Sequence, residues 1–278
     1  MYDGACLSDP QTLQRAVGEL AVSVRRRDEI TTLNRLRQAG CLKARFPRAL
    51  VPEWLDIVTL NTSGGIAGGD RLESAFDIAA GARASIAAQA AERFYRALPG
   101  SLPSLVRTRI AVAAGASAEW LPQETILFDR CALDRRLAVD LAGNAWFLGV
   151  ESLVFGRTAM GETIEQAWLR DLIQIRRDGR LIWQDAVRLD GDANAILKHK
   201  AVAAGARAVA TIVHVASNAE AMLDSIRRVL PSEAGASAWN GMLVVRILGN
   251  TSAAVRTAVI TVLRVLRGAR PLPRVWLC

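Results

Sequence analysis

Carboxylates set inside apolar, strand-like sequence are the residues best placed to do chemistry in this chain. "EWLPQETILFDR" carries Glu119, Glu124 and Asp129 among Trp, Leu, Ile and Phe. "FLGVESLVFGRTAMGE" carries Glu151 in an apolar run, followed by Arg157 and Glu162. A carboxylate taken out of water is costly unless it is paired, hydrogen-bonded or coordinating a cation. Two readings stand. In one, Glu151 pairs with Arg157 inside the body and does nothing further. In the other, carboxylate and amide oxygens line a polar path able to pass a hydrated divalent cation. Hard oxygen ligands without His or Cys hold a late first-row ion loosely, which suits transit better than storage.

A second unusual stretch is "LNTSGGIAGGDRL", with the pairs Gly64-Gly65 and Gly68-Gly69 closed by Asp70 and Arg71. A phosphate-cradling loop continues with Lys and Ser/Thr and opens a helix. Here Asp70 stands where that loop needs a cation, and "RLESAFDIAA" alternates like a strand. The glycines therefore predict a turn between strands with positive-φ positions, which explains one pair more easily than two.

Other chemistry is thin. G-x-S-x-G, H-E-x-x-H and G-x-G-x-x-G are all missing. The two histidines are His199, in the solvated "KHK", and His214, in the strand-like "TIVHVA", where it reads as a core histidine. Cys6, Cys41, Cys131 and Cys278 lie far apart and form neither a zinc pattern nor a dense disulfide framework.

The elements that must position these residues are mostly strands. Alternation places Leu20, Val22 and Val24 on one side, then Leu72, Phe76 and Ile78, then Val106, Ile110 and Val112. Three segments centred on Gly81, Gly115 and Gly143 echo one another as strand-turn-strand units, which suggests stacked hairpins or layered sheets. Asp178-Gly179 marks a further hairpin. Helices are expected only late: one after a Ser217/Glu220 capping box, and one from a Thr/Ser cap to Gly268, with "MLVVRIL" between them as a buried strand. The fold class is therefore mainly β, a layered or β-helix-like body with a few α-helices in the C-terminal third. Residues 1–18 read as a loose tail and 19–278 as a single domain.

Of 278 residues, 51% are apolar, which excludes a disordered chain. The net charge is +8, and only Lys43, Lys198 and Lys200 of the 35 basic residues are lysine. The arginines are spread out without interleaved aromatics, so an acidic protein partner fits as well as nucleic acid. The start lacks a signal-peptide pattern and the apolar late segment is too short to span a bilayer, which predicts a cytoplasmic protein with no membrane contact.

Six segments in order, "GGIAGGDRL", "FYR", "EWLPQETILFD", "ESLVFGRTAMGE", "RRDGRL" and "PRVW", resemble the urease accessory protein family UreD, also called UreH. The resemblance covers nearly everything from about Leu20 to Trp276. The resemblance implies a mainly β, layered fold and a non-enzymatic maturation factor. It implies partners as well: apo-urease, a helical accessory protein of the UreF type and a GTPase of the UreG type. Together these load nickel, which is thought to travel through an internal tunnel; nickel is in transit and no cofactor is held tightly. Asp70, Glu124, Asp129, Glu151 and Glu162 become the candidate nickel-path residues, and Gly64, Gly65, Gly68 and Gly69 match the family's signature turn. Thr62 and Ser63 stand where the family has prolines; Ala87, Ala88 and Arg93 stand where it has threonines and a lysine. Two alternatives remain: a basic nucleic-acid-binding β protein without sequence preference, recognised by steep salt dependence, and a carboxylate-based hydrolase, which needs two acids at a defined separation.

Overall fold

The computed structural model describes residues 14–157 and 160–277. Strands run β1 Val17–Arg27, β2 Ile30–Gly40, β3 Leu42–Arg45, β4 Leu55–Asn61, β5 Arg71–Ile78, β6 Arg83–Ala88, β7 Glu92–Phe94, β8 Ser104–Val112 and β9 Ser117–Leu121. They continue β10 Thr125–Leu127, β11 Cys131–Leu141, β12 Trp146–Phe155, β13 Gln166–Arg177, β14 Arg180–Asp192, β15 Ala208–Val215, β16 Ala234–Trp239 and β17 Met242–Gly249. The helices are α1 Ala193–Lys198, α2 Leu223–Arg227 and α3 Ser252–Arg267. The tail expected at residues 1–18 lies mostly outside the described residues, and β1 already begins at Val17.

Among the described residues, the strands form two sheets. One has seven strands in the order β14-β13-β11-β8-β5-β1-β2. The other has ten, with β16-β17-β15-β12-β9-β6-β4-β3 as its path and β10 and β7 attached beside β12. From β4 to β13 the chain alternates between them, apart from the short β7 and β10, which stay in the larger sheet, and lays each new long strand parallel to its predecessor in the same sheet. This winding corrects the hairpin reading of the three glycine-centred units. The runs on either side of Gly81, Gly115 and Gly143 belong to different sheets, so each unit is an arch joining layers. The arches stack: Ala113 N donates to Ile78 O, Ala142 N to Val112 O, and Trp146 N to Ala116 O. Positive φ at all three glycines makes each sharp corner accessible. Asp178-Gly179 does form the expected hairpin, between β13 and β14.

The two sheets read differently in sequence because their outer faces differ. Along β11 Cys131, Leu133, Leu137, Val139 and Leu141 are buried at every second position, with the half-buried Arg135 between them, since the outer face of its sheet meets water. All eight residues of β15 are buried, because α3 covers the outside of the larger sheet. The apolar stripe Val255, Val259, Val262, Leu263 and Leu266 of α3 seats there. Thr251 caps this helix, accepting from Ala254 N, and Gly268 ends it at φ 59°. The helix expected after Ser217 is shorter: a 3₁₀ turn, Glu220–Met222, leads into α2. The capping box does not form, because the Glu220 carboxylate accepts from Gly241 N instead.

Between the sheets, one level is filled by Val22, Phe76, Ile110, Val139 and Ile175, which stand side by side across neighbouring strands. Each contributes about 1.5–3 kcal/mol by leaving water. Two residues back along each strand, the same columns carry Ser74 and Thr108, and two further back Arg135 and Asp171. The core is thus wholly apolar at one level, while at the next two levels polar side chains share the columns with Leu20, Leu137, Ile173, Leu72 and Val106, and a hollow opens beside them.

Candidate functional site

The hollow is a cavity of about 200 Å³ between the sheets, reached past exposed Gly64, Gln89 and Ala90. Its polar lining includes Asn61, Glu92, Thr125, Arg135 and Glu151, with Trp120, Phe94 and Leu137 as apolar walls. Glu151, on β12, accepts from Trp120 Nε1 at 2.7 Å and forms an ion pair with Arg135 Nη1 at 2.8 Å. Arg135, on β11, also grips Asp171 with Nε at 2.8 Å and Nη2 at 2.6 Å, and donates to Thr125 Oγ1 at 2.8 Å. Burial pushes the Glu151 carboxyl above its ordinary range; Arg135 opposes that shift and the Asp171 charge adds to it. The expected Glu151–Arg157 pair is therefore corrected. Arg157 binds Glu162 at 2.9 and 3.1 Å and lies over the Phe128 ring, away from the cavity.

Glu92 is the cavity acid that sequence reasoning missed. Both of its oxygens lie 3.2 Å from Asn61 Nδ2, and burial raises its carboxyl. Among the described residues, no cation is within ion-pair distance of it. It sits in "AAERF", where short Ala side chains leave space around it. Without the knowledge that this turn faces inward, nothing distinguished it from a surface acid.

The glycine turn borders this cavity, and its two pairs do separate jobs. At Gly65 (φ 147°) a Cβ would come within 2.4 Å of the Tyr95 ring. Tyr95 donates its hydroxyl to Gly64 O at 2.7 Å. Ile66 N donates to Arg93 O, and Tyr95 N to Ile66 O, so the turn is stitched to "FYR". Gly68 leaves room for Ser101, and Gly69 takes φ 89°. Asp70 then closes the turn, accepting from Ala67 N at 2.7 Å and Ala16 N at 2.8 Å. At the entry to the turn side chains act as caps: Thr62 Oγ1 donates to Cys41 O, and Ser63 N to Asn61 Oδ1.

Of the five candidate path residues, Glu151 lines the cavity and the other four carboxylates are engaged elsewhere. Asp70 closes the turn. Glu124 pairs with Arg256 at 3.0 Å on the α3 side. Asp129 accepts from Glu165 N and Gln166 N, fixing the approach to β13. Glu162 holds Arg157. Gly64 and Gly65 line the cavity, as do Ala88 and Arg93. Among the described residues, no group of three or more His, Cys, Asp or Glu is placed to hold a metal ion.

The sequence motifs thus meet in space, with "GGIAGGDRL" on "FYR" and the terminal "PRVW" on "LPQE", where Gln123 Nε2 donates to Val275 O and Trp276 Nε1 to Leu121 O. The profile described as "UreD urease accessory protein" matches residues 16–277. This chain belongs to the UreD family. Proteins named urease accessory protein UreD align along nearly all of it. That of Dinoroseobacter shibae is 44% identical, covering 95% of this chain and 93% of the relative. That of Xanthobacter autotrophicus is 42% identical, covering 95% and 90%. That of Ruegeria pomeroyi is 46% identical, covering 88% and 95%. Among the described residues of this UreD-family chain, no helix is long and apolar enough to cross a membrane.

Proposed function

We propose that this chain serves urease maturation as a non-enzymatic, cytoplasmic scaffold that passes nickel towards apo-urease through the cavity between its sheets. Its partners on this reading are a helical accessory protein of the UreF type and a GTPase of the UreG type. The single observation that carries the proposal is the Glu92 carboxylate, half-buried in the cavity wall and held by a neutral amide instead of a cation. A carboxylate whose hydrogen-bond partner is the neutral Asn61 amide, with Arg93 acting on it only from beyond ion-pair distance, attracts a divalent ion, and a single carboxylate binds it weakly enough to release it. Nickel is cargo here, with no resident cofactor.

The test uses co-expression with the urease subunits and both accessory proteins. Glu92→Gln, Glu151→Gln and their combination keep shape while removing charge. The expected result is normal co-purification with partners and a urease containing less nickel, with Glu92→Gln the stronger single effect. Full nickel content in the double variant would sink the path. Loss of co-purification would move the role of these acids from transport to assembly.

A further inference from the structure

We propose that Arg135 is the specificity-determining residue of the cavity: its guanidinium fills the point where two buried carboxylates converge and keeps a divalent cation from settling there. This rests on the cavity being a cation path. Glu151 reaches that point from the larger sheet and Asp171 from the smaller, and both touch one guanidinium at 2.6–2.8 Å, with the Thr125 hydroxyl beside them. Remove the guanidinium and three oxygen-bearing side chains face a common space, the donor set of a divalent-cation site. With it in place, the fixed positive charge opposes a second cation at short range. The group cannot be switched off by proton loss, because Arg stays protonated in proteins and, although burial works against its charge, its two acid neighbours outweigh that and raise its pKa. The cavity therefore keeps one acid, Glu92, for the moving ion and ties up the pair that would trap it. Arg135 makes a corridor out of what would otherwise be a storage site.

The experiment measures nickel(II) retained by the purified full-length chain after equilibrium dialysis. Wild type and Arg135→Lys, which keeps the charge, should retain the same small amount. Arg135→Met should bind at least about tenfold more tightly, approaching about one ion per chain. Adding Glu151→Gln to Arg135→Met should abolish the gain. The proposal is overturned if Arg135→Met binds no better than wild type, or if the gained nickel survives Glu151→Gln. Should Arg135→Met fail to fold alone, refolding with nickel should restore its far-ultraviolet circular dichroism, since an ion at the vacated point replaces the lost charge; no recovery also overturns it. Nickel delivery to urease by Arg135→Met separates the two ideas. Tight retention with reduced delivery supports both, whereas tight retention with unchanged delivery leaves Arg135 its role and refutes the path.

Discussion

The larger sheet carries a buried carboxylate–arginine cluster on each face, and the two are built to opposite ends. On the outer face Glu119, fully buried, binds Arg267 through both oxygens at 2.9 and 3.1 Å and Arg270 at 2.6 Å. Arg270 stacks 3.8 Å above the Trp54 ring, Trp146 meets both Trp54 and His214 edge-on, and Arg267 also donates to Pro271 O. That cluster fastens the end of α3 and the segment beyond it to the sheet, beside a hollow of only about 10 Å³. On the inner face Glu151, Arg135 and Asp171 join the two sheets beside a cavity. The residue types are the same; what differs is whether the surrounding side chains close over the charges. Acid–arginine pairing alone is thus no sign of a functional site, and open volume beside it is the discriminating feature.

The largest expected effect breaks the closed cluster. Glu119→Ala strands the buried Arg267 and the half-buried Arg270 guanidiniums and should cost about 3–5 kcal/mol, read as a fall in the urea midpoint at unchanged slope. Glu151→Gln should cost well below that, because Arg135 keeps Asp171 and the cavity admits water. If the two substitutions cost the same, closure is not what separates the clusters.

Sequence reading recovered the part of this contrast that is periodic or local. The alternation of β1, β5 and β8, the strand β17 and the Thr251 to Gly268 limits of α3 each follow from neighbours in the chain. The arches were missed because a glycine corner between layers and a hairpin turn share the same local residues; only the partner strand differs. The Glu151 partner was missed for the same reason: Arg135 lies on a strand of the facing sheet, whereas Arg157 is six residues away in sequence. Glu92 and Asp171 had no local signal, since burial across two sheets makes them notable and their sequence neighbours do not.

The next effect sharpens the outer cluster through pH. His214 is buried against Trp146, its Nδ1 lacks a hydrogen-bond partner, and burial pushes its pKa down to about 4. The unfolded chain takes up this proton near its ordinary value of 6.5, while the folded chain resists until about 4. Stability from this group is therefore complete above about pH 6.5 and is lost as pH falls through that window, by up to about 3 kcal/mol. His214→Phe keeps the aromatic edge and should flatten this part of the stability–pH curve. An unchanged slope between about pH 6.5 and about pH 4 would show that the fall arises elsewhere.

The smallest effect concerns Glu92 and has the opposite sign to Glu119. Its folded pKa is raised by burial, so its contribution favours folding below the unfolded value of 4.5 and is lost as pH rises through the folded one. At neutral pH the ionised carboxylate works against the fold. Glu92→Gln retains the contact with Asn61 and removes that charge, and should leave stability unchanged or raise it by about 0.5 kcal/mol near pH 7. A carboxylate that the fold would hold more easily as an amide is the signature of a group kept for binding and not for stability. Glu119, by contrast, has no neutral substitute that serves its two arginines. If Glu92→Gln instead lowers the urea-derived stability by more than about 1 kcal/mol, Glu92 is a structural acid like Glu119, and the inner face loses the feature that distinguishes it.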